Sequence, residues 1–214
     1  MNIENSLLII FAATMLYVSV TGRLEAYVKI FALQGVILCV LSAFFNIPSN
    51  HIFTLIFVIF ETLILKSCVI PYFIMKEIRE NEIFRETEPY IPNLYSLVAV
   101  SFFIALGFIF SYLVSRENHP VNPMYFGISI STIISSIFII MTRKKLITHV
   151  MGYMLMENGI FLLSLAVAAE MPFIVSLGAM LDIFMWVLLT GVFLNRLQSR
   201  FSAQNIDKLK GLRG

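Results

Sequence analysis

Charge is what this sequence has least of. Of its 214 residues, 13% are Asp, Glu, Lys or Arg and 59% are hydrophobic, with a mean hydropathy of +0.89. A soluble domain carries about 25% charged residues. Too little polar surface remains to wet a globule, and the arrangement that still pairs every backbone group is a bundle of helices in lipid. Cysteine is scarce too. Cys39 and Cys68 fall in different apolar segments, without the close spacing that zinc or iron–sulfur sites need, and both are expected as buried free thiols. The glycine patterns that cradle phosphates are missing. No segment reads as an extramembrane catalytic domain or a nucleic-acid surface. The first apolar stretch has Glu4 before it instead of basic residues and no small-residue cleavage site after it, so it is expected to stay as a helix.

What is present is twenty phenylalanines, eleven methionines and seven apolar stretches. Each is about 20 residues long, enough to cross a hydrocarbon core of about 30 Å at about 1.5 Å per residue. They run over residues 6–22, 28–45, 52–75, 94–114, 124–142, 147–169 and 173–194. Pro48, Pro89, Pro92, Pro120, Pro123 and Pro172 lie between or at the edges of these stretches, and only Pro71 is internal. The expected fold is all-α, a polytopic membrane helix bundle of about seven transmembrane helices.

Orientation follows from the basic residues of the short loops. Arg23, Lys29, Lys76, Arg79, Arg85, Arg143, Lys144, Lys145, Arg196, Arg200, Lys208, Lys210 and Arg213 would share one side, 13 of the 15 basic residues. Arg116 alone falls opposite, and Lys66 is inside a span. The N-terminus is therefore expected outside and the C-terminus in the cytoplasm. The charged run over residues 76–88 reads as a solvated extension of the third helix, or as a docking edge for a partner.

Four ionisable side chains have no loop to sit in: Glu61, Lys66, Glu157 and Asp182. A central Asp or Lys costs roughly 2.5–3.5 kcal/mol on insertion scales, so such groups pair with one another or line water, and are functional candidates by default. Five residues on an α-helix turn Glu61 and Lys66 roughly 140° apart, so each is expected to find partners on neighbouring helices. Proton carriers need groups whose pKa can be moved, upward for a carboxylate by desolvation and downward by a nearby cation. Alternating Glu, Lys and Asp at one depth fits that chemistry. Pro71 frees the Ser67 carbonyl beside Lys66, a place for a kink. Ser129, Thr132 and Ser136 form one stripe of the fifth stretch, with Ser131 and Ser135 beside it, serving helix packing or a water-lined face. Gly152 and Gly159 would allow close helix approach around Glu157. His51, His119 and His149 share no helix face, which argues against haem.

The octapeptide Gly152-Tyr153-Met154-Leu155-Met156-Glu157-Asn158-Gly159 resembles the GY-x-LMENG signature of the hydrogenase-4 component E family, a membrane subunit of group 4 nickel–iron hydrogenases and formate hydrogenlyase-type complexes. The resemblance extends along nearly the whole chain. It takes in Lys66, five residues before Pro71, the run Asp182-Ile183-Phe184, and the tail Asn205-Ile206-Asp207-Lys208-Leu209-Lys210-Gly211. The last three stretches are also similar to the three-helix K subunit of respiratory complex I. There the first glutamate stands about one turn before the position of Glu157, and the second acid, Asp182 here, is a glutamate. These likenesses suggest a division into a four-helix region over 1–120, a K-like region over 121–197 and a cytoplasmic tail over 198–214.

The resemblance implies a non-catalytic, multi-pass subunit of a prokaryotic cytoplasmic (inner) membrane. Its partners would be antiporter-like subunits, other small membrane subunits and peripheral hydrogenase subunits. The chain itself would hold no cofactor, the nickel–iron centre and iron–sulfur clusters residing in partners. Glu157, Asp182 and Lys66 would carry H⁺ or Na⁺; Glu61 has no counterpart in the family and is a candidate on its burial alone. Two other functions stay open on the residues themselves: a stand-alone secondary cation transporter, and a purely structural membrane anchor with static charges.

Overall fold

The computed structural model describes residues 3–46, 59–80, 90–115 and 122–167, all within one unit spanning Met1–Gly178. Every described element is helical. Helix α1 covers Ile3–Val20 and α2 Leu24–Asn46. A π-wound segment, Phe60–Val69, runs without a break into the α-helix Ile70–Glu80, and the two together are α3. Helices α4, α5 and α6 cover Asn93–Ser115, Pro123–Thr142 and Leu146–Val167. Five of these, all but α3, are long and apolar enough to cross a membrane. By length and apolar composition these helices suit a membrane protein. The beginning of the third expected span lies outside the described residues, as does the whole seventh, and with it Asp182 and the tail.

The helices form because apolar residues continue around their whole circumference. In α1, Leu8, Phe11, Met15 and Val18 repeat every three or four residues and are buried, while Ile9, Ile10 and Tyr17 on the other face are exposed. A soluble helix would place polar groups there. Helix α4 carries this furthest: Leu94, Tyr95, Val98, Phe102, Ile109 and Tyr112 are all exposed. Helices α4 and α5 run antiparallel, as do α5 and α6. The backbone N–H of Tyr90, just before α4, donates to Thr142 at the end of α5, and Asn122, just before α5, donates to Ala166 near the end of α6. Pro123 opens α5, where its missing N–H costs nothing. Helix α4 packs on α5, α1 packs on α5, and α2 packs on α6.

Lipid tails are as apolar as leucine, so helix association here depends on close approach. Gly107 of α4 and Gly127 of α5 bring backbone against backbone: a Cβ on Gly127 would stand 2.6 Å from the Gly107 carbonyl, and one on Gly107 would collide with the Gly127 carbonyl and the Ser131 hydroxyl. Gly159 of α6 lies against Thr132 and Ile133 of α5, and Gly152 against Ile140, the close approach expected of these two glycines. Overpacking such a site costs about 1–3 kcal/mol. Gly107→Ala is therefore expected to lower stability by about that amount in thermal unfolding of the detergent-solubilised protein, whereas Ala105→Gly, one turn-half away on the same helix, tests only helix propensity at about 1 kcal/mol.

Helix α3 departs from expectation in its winding. In a π-helix each N–H bonds five residues back, so backbone positions 61 and 66 stack one above the other, where α-winding would have set them far apart. The π segment ends two residues before Pro71. A widened turn gives the pyrrolidine ring room against the Ser67 carbonyl, which an α-turn would press into it.

Candidate functional site

Lys66 and Glu157 meet in the interior. Lys66 projects from the π-wound part of α3 and Glu157 from the middle of α6; their Nζ and Oε1 atoms are 3.8 Å apart, with side chains 1% and 4% exposed. Phe161 follows Glu157 by one helical turn and so shares its face. Its ring lies 5.0 Å from the Lys66 ammonium, a cation–π contact that adds a second attraction where water is excluded. Lys66 thus lies between a carboxylate and an aromatic ring carried by the same stripe of α6. At 3.8 Å the pair is about 1 Å longer than a charge-assisted hydrogen bond, and Glu157 Oε1 accepts no hydrogen bond among the described residues.

A chain of amides adjoins this pair. Asn158, next to Glu157, donates through Nδ2 to Gln34 Oε1 of α2 at 3.1 Å. Gln34 Nε2 donates to Thr14 Oγ1 of α1 at 2.7 Å and contacts Met15 Sδ at 3.4 Å, and Thr14 Oγ1 donates to the Phe11 carbonyl. Gln34 and Asn158 are fully buried. Beside Gln34, Gly35 faces the Lys66 backbone, where an added Cβ would be 3.4 Å away, and Ser67 Oγ donates to the Ala32 carbonyl at 3.2 Å.

Of the four sequence candidates, the structure brings Lys66 and Glu157 together. Glu61 is placed by its backbone alone, and Asp182 lies outside the described residues. The Ser/Thr residues of α5 are buried, with Ser129, Ser131 and Thr132 bonded to carbonyls of their own helix. Cys39 is half-buried and Cys68 exposed; the thiol expected to be buried at 68 points out of the bundle, because Lys66 takes the inward face of that turn. Among the described residues no three His, Cys, Asp or Glu side chains gather as metal ligands.

Two polar features escaped the reading of the sequence. Gln34 is the one amide inside the second apolar stretch, and counting only charged groups passed it over, although an amide in hydrocarbon needs partners as a charge does. Arg143, counted with Lys144 and Lys145 as loop charge, is the largest fully buried side chain among the described residues, 1% exposed. Its Nη1 donates to Asn93 Oδ1 and its Nη2 to the Ser19 carbonyl, both at 3.1 Å. Its own carbonyl bonds His149 Nε2 at 2.6 Å, and Lys144 lies over the Tyr90 ring.

No protein-family profile matches the chain, and no solved structure matches it. It is similar to an uncharacterized protein of Mycobacterium tuberculosis, 28% identical over 191 residues that cover 89% of this chain and 86% of that protein.

Proposed function

We propose that this chain is a non-catalytic membrane subunit of an energy-converting, group 4 hydrogenase-like complex, and that Lys66 and Glu157 belong to a proton (or Na⁺) pathway driven by redox chemistry in partner subunits. The observation that carries it is the Lys66–Glu157 pair: two opposite charges from separate helices, excluded from solvent and held beyond hydrogen-bond length. Groups placed so can exchange a proton or part without breaking a short bond. The likeness of the Gly152–Gly159 octapeptide to the component E signature, centred on Glu157, points the same way.

In this reading the chain spans the prokaryotic cytoplasmic membrane seven times, N-terminus outside and C-terminus in the cytoplasm. Asp182 of the last span and Glu61 extend the line of charge laterally toward antiporter-like subunits, and the nickel–iron and iron–sulfur groups stand in peripheral partners. A purely structural anchor is the second reading, favoured by the hydrogen bonds that tie the chain neighbours of both charged residues to α2.

Isolation of the chain from its native membrane in mild detergent, with co-purifying proteins identified by mass, tests the proposal. Recovery with large antiporter-like subunits and a nickel–iron hydrogenase pair is the expected result. A chain that comes out alone or as a homo-oligomer, under conditions that keep other complexes whole, sinks it in favour of a stand-alone cation transporter.

A further inference from the structure

We propose that Glu157 Oε1 and Asn158 Oδ1 together bind one ordered water molecule inside the bundle, where α6 meets α2 and α3. The inference deepens the pathway reading, on which it rests for its purpose: the water is the group with which Glu157 exchanges a proton.

The amide chain that ends at Asn158 runs in one direction. The Thr14 hydroxyl gives its hydrogen to the Phe11 carbonyl, so Thr14 Oγ1 accepts from Gln34 Nε2. Met15 Sδ, an acceptor with no hydrogen of its own, meets the same nitrogen. Both contacts turn the Gln34 amino group toward α1 and its Oε1 toward α6, where Asn158 Nδ2 donates to it at 3.1 Å. Turning the Asn158 amide over would set two carbonyl oxygens against each other. Reversing the whole chain would set Gln34 Oε1 against the Met15 sulfur. Asn158 Oδ1 is therefore directed away from Gln34; it is buried and meets no donor among the described residues.

Glu157 Oε1, on the preceding residue, is in the same position. It accepts no hydrogen bond among the described residues, and its side chain is 4% exposed. These two oxygens differ in kind from the buried hydroxyls of α5. Ser135 and Ser136 make no hydrogen bond among the described residues, but a serine hydroxyl can rotate onto the carbonyl four residues back, as Ser131 and Thr132 do. A carboxylate or amide oxygen has no hydrogen to turn, and only a donor brought to it satisfies it.

Three contacts form a ring around the two acceptors: Asn158 on Gln34, Gly35 against the Lys66 backbone, and Lys66 beside Glu157. A water has two hydrogens, one for each oxygen, and buried waters characteristically satisfy polar groups of this sort. A metal ion would meet the Lys66 ammonium, 3.8 Å from the same carboxylate oxygen, and be repelled by it. Neutral water is the ligand that suits both oxygens.

The test is solid-state NMR of the full chain in lipid bilayers, timing the passage of magnetisation from water protons to the side chains of Glu157, Asn158 and Thr14. Thr14, buried at the far end of the amide chain, is the dry reference. Transfer to Glu157 and Asn158 is expected to be several times faster than to Thr14. In Asn158→Leu the Glu157 rate is expected to fall severalfold, to the reference rate. Wild-type rates at both residues no faster than at Thr14 overturn the proposal, and that comparison needs no variant to fold. A folded Asn158→Leu whose Glu157 rate is unchanged also overturns it, because water would then reach Glu157 without Asn158. None of these rates bears on which proteins co-purify, so failure of the water site and failure of the pathway reading are told apart.

Discussion

Lys66→Met is expected to cost about 3–5 kcal/mol of stability, the range for removing one partner of a buried ion pair. The methionine keeps most of the lysine volume, so the loss is electrostatic. It strands the Glu157 carboxylate, 4% exposed, with an oxygen that already accepts no hydrogen bond among the described residues, and it removes the cation from the Phe161 ring. Adding Glu157→Gln should restore most of that loss, because replacing a whole buried pair by neutral groups of like volume is often neutral or stabilising. The double variant separates the two readings of the site. If the charges are a static anchor, Lys66→Met/Glu157→Gln assembles and works as the wild type does. If they carry protons, the double variant assembles into an intact complex that turns over substrate without moving charge across the membrane. Thermal unfolding of the single and double variants, followed by proton uptake in vesicles containing the complex, reads both. A single variant as stable as wild type would show that the pair is energetically idle.

Much of this fold was legible because length and hydropathy alone specify a membrane helix. The expected stretch 94–114 became Asn93–Ser115, and 124–142 became Pro123–Thr142. Pro123 marked its boundary for a local reason that any sequence displays. Glu157 and Lys66 were visible as candidates because a charge in a long apolar run has no cheap alternative but a partner. Their meeting was not visible. It depends on which of several antiparallel helices lie side by side, and period alone does not choose neighbours among helices that are apolar all round. The winding of Phe60–Val69 was hidden for a related reason: α and π turns use the same residues, and only Pro71, read as a kink, hinted at local widening. Gln34 and Asn158 show a third limit. A buried amide is unremarkable in sequence until its acceptor and donor are both found, and here they come from three helices 20 and 124 residues apart along the chain.

Arg143 shows how far a residue's loop position can mislead about its environment, and it carries the second large expected effect. It follows α5 in extended conformation, φ −102° and ψ 150°, with its own N–H still bonded to Ile139. That turn of the backbone sends the guanidinium inward, while Lys144 next to it remains exposed. The positive-side bias of this loop therefore rests on Lys144 and Lys145, and Arg143 serves another purpose. Ser19 lies in the last turn of α1, where carbonyls lack helical partners and the helix dipole is negative, so a buried cation is favourable there. The same guanidinium reaches Asn93 at the start of α4, and the Arg143 carbonyl takes His149 of α6. One residue thus joins the ends of α1, α4, α5 and α6. Hydrogen bonds to charged groups contribute about 1.5–3 kcal/mol each, and Arg143→Met removes two, for an expected loss of about 3–6 kcal/mol. Arg143→Lys should recover less than half of it, because an ammonium is a point donor and cannot span two acceptors that the planar fork reaches at once. Thermal unfolding of the two variants measures the difference. Limited proteolysis at Tyr90 should rise in both, since Tyr90 is held to the same corner through Thr142 and Lys144. A lysine variant as stable as wild type would mean that charge alone, without the fork, holds this end of the bundle together.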